Sequence, residues 1–109
     1  MAEDRSDSVL RHVVLFQFKE DSSPEQVKKL VDEFAKLPSK IKQIAEFEYG
    51  DKNVSPEGLG DGFEHCFILT FRTEKDRDAY LPHKSHLEFV GMVKPHLAKV
   101  LVIDYWTKK

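Results

Sequence analysis

Apolar residues recur along this chain with two different periods, and the changes of period mark out its elements. From Leu10 to Lys19 the spacing is two. His12, Val14, Phe16 and Phe18 fall on one side, and Val13, Leu15 and Gln17 on the other, which predicts a strand with two largely apolar faces. At Ser23 the pattern switches. Ser23 suits an N-cap, Pro24 the first helical position, and Gln26 completes a capping box. Val27, Leu30, Val31, Phe34 and Leu37 then follow at helical spacing, and Pro38 is expected to stop the helix. "IAEFEYG" reads as a second strand, with Ala45, Phe47 and Tyr49 opposite Glu46 and Glu48. The Gly-, Asp- and Asn-rich segment 50–62 is the long loop. "FEHCFILTFR" predicts a third strand, again apolar on both faces. A helical stretch follows from "TEKDRDAY", breaks near Pro82 and resumes through "HLEFVGMVK" to Pro95; "KVLVIDYW" is the last strand.

The resulting order, β-α-β-β-α-β, predicts an α+β, ferredoxin-like fold with both helical regions on one face of a four-stranded sheet. A sheet face left in water normally alternates to polar residues. Three of these strands do not, so a second chain is expected to cover the far face, giving a homodimer that forms an α+β barrel.

At 109 residues the chain has room for one core. The acidic, polar segment 1–9 reads as a disordered tail, and residues 10–107 as the domain. The tail lacks the basic start and apolar stretch of a signal peptide. Net charge is -2, with the 17 basic residues scattered among 19 acidic ones, which argues against a nucleic-acid surface. No apolar run reaches the length of a membrane span. The single Cys66 suits a reducing cytoplasm and reads as a buried small hydrophobe rather than a reactive thiol.

Four stretches in this order, "RHVVLFQFKED", "GFEHCFILTF", "YLPHKSHLEF" and "VLVIDY", resemble the stress-responsive A/B barrel domain (Dabb) family over residues 11–105. The resemblance implies a dimer of ferredoxin-like subunits with the sheets facing each other. Many members have no defined reaction. One, a plant polyketide cyclase, works without metal or organic cofactor, so no cofactor is expected here. Its catalytic residues match His86, Tyr80 and Asp104, the last orienting the histidine, and His12 matches a histidine lining the same pocket. The chain departs from that cyclase where Lys84 follows His83, where Glu88 and Val90 stand for glycines, and where Phe16 and Phe67 stand for smaller aliphatics.

The chemistry of this set is coherent. A histidine near neutral pKa can shuttle a proton, a carboxylate can fix its tautomer, and a tyrosine hydroxyl can hold an oxyanion. On this reading His86 touches Asp104. The alternative is structural, because a histidine bonded to a buried aspartate also satisfies two polar core groups. His83 and His86, three apart, could share a metal, but no supporting ligand pattern accompanies them and no metal is expected. A hydrophobic or aromatic small molecule between sheet and helices would meet His12, Val14, Phe16, Phe34, Phe47, Phe67, His83 and Phe89, with Phe63 also facing that space. The same residues would equally make a filled core. Three readings therefore stand: a barrel with little catalysis, a small-molecule binder, and a cofactor-independent enzyme of cyclase or monooxygenase type.

Overall fold

The structure is a computed structural model and describes residues 7–50 and 52–109. The order of elements is β1 (Ser8–Phe18), α1 (Pro24–Ala35), α2 (Leu37–Lys40), β2 (Glu46–Gly50), β3 (His65–Phe71), α3 (Glu74–Tyr80), α4 (Lys84–Val93), a 3-10 turn (Lys94–His96) and β4 (Leu97–Lys108). The strands form one antiparallel sheet in the order β2-β3-β1-β4. This is the ferredoxin-like α+β fold expected from the sequence. Strand β1 starts at Ser8, inside the stretch read as a tail; residues 1–6 lie outside the described residues.

The start of α1 follows from local chemistry. Ser23 Oγ accepts from the Gln26 amide at 3.1 Å, and Gln26 Oε1 accepts from the Ser23 amide at 2.9 Å. Both ends of the capping box close, so two otherwise orphaned amides are satisfied. The other end differs from expectation. The helix stops at Ala35, and Pro38 sits in the first turn of the short α2 instead of terminating α1. A proline in a first helical turn loses no hydrogen bond, which reconciles it with helix. The turn it opens carries Leu37 and leads to Ile41, both wholly buried.

The helices cover one face. Leu10, His12, Val14 and Phe16 of β1 and Phe67, Leu69 and Phe71 of β3 point beneath them, all at 5% exposure or less. Phe34 is the centre of this layer, with ring centroids 4.4 Å from Phe67, 4.6 Å from Phe89 and 5.5 Å from Phe47. The other face carries Val13, Leu15, Ile68, Leu101, Ile103 and Tyr105, and no described helix crosses it. No described helix is long and apolar enough to cross a membrane.

Candidate functional site

The site is built where α3 ends and α4 begins, above the Leu10 end of β1. Thr73 caps α3, accepting from the Asp76 amide at 3.0 Å. That fixes the helix so that Tyr80, in its last turn, is driven into the core at 1% exposure. Pro82 breaks the chain, and His83 restarts it: its Nδ1 accepts from the Ser85 amide at 3.1 Å and caps α4. One turn on, His86 tilts against the Tyr80 ring, with centroids 4.2 Å apart. The opening pair of the site is therefore a product of the helix break.

His86 Nδ1 lies 2.8 Å from the Leu81 carbonyl. A carbonyl only accepts, so Nδ1 carries the proton and Nε2 of the neutral ring holds the lone pair. Burial pushes the His86 pKa down; the Leu81 hydrogen bond opposes this, and the His12 and His83 imidazoles add to it. The neutral form, with a basic Nε2, is favoured at neutral pH. Burial pushes the Tyr80 hydroxyl far above the usual phenol range, so it stays protonated as a donor.

The aspartate belongs to a different histidine. His12 and Asp104 are register partners across β1 and β4, and His12 Nδ1 donates to Asp104 Oδ1 at 2.7 Å. The other carboxylate oxygen accepts from Arg77 Nη1 at 2.5 Å, and Arg77 Nε donates to Asp78 at 2.9 Å. His86 and Asp104 share no hydrogen bond, so the expected contact is corrected: strand pairing brings His12 to the carboxylate, and α3 brings an arginine to its other side. His12 still meets the pair edge-on, 5.8 Å from the Tyr80 ring. The sequence alone does not mark Arg77 as a site residue. Its signal there is weak, a charged residue in a charged stretch, and only the crossing of α3 over β4 gives it this partner.

The residues expected to line a pocket divide into groups. Val14, Phe16, Phe34, Phe67 and Phe89 are buried against one another, and Phe47 is half-buried at their edge. Phe63 is elsewhere: it lies in the loop before β3, with Lys99 Nζ 4.5 Å above its ring, beside the far face. His83 is occupied as a cap. Among the described residues no group of three or more His, Cys, Asp or Glu is placed to hold a metal. Burial and the nearby Glu48 carboxylate push the Cys66 thiol up, which makes it a poor nucleophile. The helix-side face that remains accessible is on β4, where Val100 and Val102, on the same side as Asp104, are 54% and 49% exposed.

The family's sequence profile, described as the stress responsive A/B barrel domain, matches residues 10–107. The chain belongs to this family. The stress-response A/B barrel domain-containing protein HS1 of Arabidopsis thaliana is 38% identical over 88% of this chain and 87% of its own length. Olivetolic acid cyclase of Cannabis sativa is 22% identical over 92% of this chain and 98% of its own. The crystal structure of At3g17210 from Arabidopsis thaliana superposes with a TM-score of 0.85 at 37% identity, covering 92% of this chain and 96% of that one. The A/B barrel assignment accounts for the fold throughout the domain.

Proposed function

We propose that this A/B barrel domain works as a homodimer that holds a small apolar or aromatic molecule against the Tyr80–His86 pair. Dimerisation is supported by the uncovered apolar face and by the fold itself: four strands with free edges at β2 and β4 do not close a barrel, and two copies can. The small-molecule reading rests on one observation. His86 is half-buried, fixed by Leu81 and tilted against the Tyr80 ring, with the lone pair of its neutral form on Nε2. On the same side of β4, Val100 and Val102 are left open by the helices, next along the strand from Asp104, which Arg77 of α3 covers. The filled phenylalanine cluster confines the ligand to the rim of the core. The single Cys66, free of any disulfide, supports a cytoplasmic setting.

Thermal denaturation with a panel of alkylphenols tests the binding. A ligand bound only to the native state at a hundred times its Kd stabilises by about 2.7 kcal/mol. The melting temperature of the wild type should rise and that of His86→Ala should not. No shift with any member at millimolar concentration would rule the reading out.

A cofactor-independent enzyme is the second reading, favoured by the neutral His86 base lying against the ring of Tyr80, whose hydroxyl stays protonated. These are the two groups needed to remove a proton and steady the resulting enolate oxygen. Asp104 takes part only through His12. Tyr80→Phe should slow such a reaction while leaving the ring packing intact, and His86→Ala should abolish it. Unchanged turnover in His86→Ala would exclude it.

A further inference from the structure

Loop 52–64 carries two large aliphatic side chains with little cover, Val54 at 84% exposure and Leu59 at 75%. The loop is pinned to its own sheet. The Asn53 side-chain amide donates to the Phe63 carbonyl, and its Oδ1 accepts from the Ser55 amide at 2.7 Å. Lys99 pairs with the Asp61 carboxylate at 3.1 Å while lying over Phe63. Gly62 adopts φ +80°, and a Cβ there would come within 2.6 Å of the Gln17 side chain. Residue choice thus holds the loop in one shape that displays Val54 and Leu59.

The place of the loop gives that display a direction. Leu59 and Phe63 join Leu15, Cys66 and Leu101 around a hollow of about 390 Å³, so the loop continues the uncovered sheet face. That face is small. Four strands of 11, 5, 7 and 12 residues, about 4.8 Å apart and rising about 3.4 Å per residue, give a footprint of roughly 570 Å². A stable interface takes about 800 Å² per partner, and Arg11, Glu46 and Glu48 make part of this face polar.

We propose that loop 52–64 is a clasp that reaches onto a second copy of this chain, seating Val54 and Leu59 on the partner and closing the hollow. The inference rests on the homodimer reading and extends it beyond the sheet face. It is tested on the full chain by sedimentation equilibrium of the double variant Val54→Ser, Leu59→Ser, with Glu57→Gln as control. Loss of two buried aliphatics should weaken the dimer at least about tenfold and leave the far-UV spectrum unchanged. The control should match wild type. A dissociation constant within about twofold of wild type overturns the clasp while the dimer stands. A monomeric wild type refutes the homodimer itself. Hydrogen exchange on the wild type provides a check that needs no substitution: protection of the 54–59 amides should grow as dilute monomer is concentrated into dimer. Concentration-independent exchange there also overturns the clasp.

Discussion

The two faces of the sheet are built from the same strands and nearly the same residue types, yet they have different fates. On β1, His12, Val14 and Phe16 are buried at 5% exposure or less, while the alternating Val13 and Leu15 are only partly covered. On the edge strand β4, which the helices do not reach as fully, the contrast disappears: Leu101, Ile103 and Tyr105 are 41%, 50% and 45% exposed, and Val100 and Val102 on the helix side are 54% and 49%. Alternation decides which face a residue joins, but the layer laid over that face decides what it does. Beneath the helices, apolar side chains make a core within one chain. Opposite, the same chemistry remains available for association.

The largest effect that separates the faces should come from Phe34→Ala. Phe34 is 2% exposed and touches the rings of Phe16, Phe47, Phe67 and Phe89, so its removal should cost about 3–5 kcal/mol. Urea denaturation at fixed concentration measures it, and a cost below about 1 kcal/mol would mean that this layer is loosely filled. A smaller effect should distinguish two neighbours on β4. Asp104→Asn weakens the bonds to His12 and Arg77 on the helix side and should lower stability by about 1–3 kcal/mol at every protein concentration. Tyr105→Ser, one residue on and facing the other way, should act mainly through the concentration dependence of unfolding. Equal concentration dependence in the two variants would erase the distinction between the faces.

The smallest effect is the pH dependence carried by His86. Its folded pKa lies below the unfolded value because burial disfavours the imidazolium. As pH falls through the unfolded value near 6.5, the unfolded chain takes up the proton first, so stability drops and then levels off below the folded pKa. Above that range this group contributes nothing. His86→Gln should flatten the acid side of the profile, and an unchanged slope would remove His86 as its source.

Features that depend on neighbours in sequence were readable from sequence. The Ser23–Pro24–Gln26 start of α1, the break at Pro82 and the two-faced strands all follow from local pattern. Pro38 departs from the expected helix stop because proline marks the beginning of a helical turn as readily as the end of one, and the choice is made by burial of Leu37 and Ile41. The partner of Asp104 was misassigned for a different reason. It is set by the register of β1 against β4, 92 residues apart, which no short-range spacing encodes. The contact of Arg77 with Asp104 has the same long-range origin. Tyr80 and His86 lie six residues apart across one helix break, and that break brings their rings together.

Whether a second copy covers the far face is tested most directly by sedimentation equilibrium from nanomolar to micromolar concentration. The wild type should shift to twice the 12.7 kDa mass of the chain, and Leu101→Glu should remain folded at the single mass, because an unpaired carboxylate would be buried in the interface. A wild type that stays at 12.7 kDa throughout, with its apolar face in water, would contradict the account.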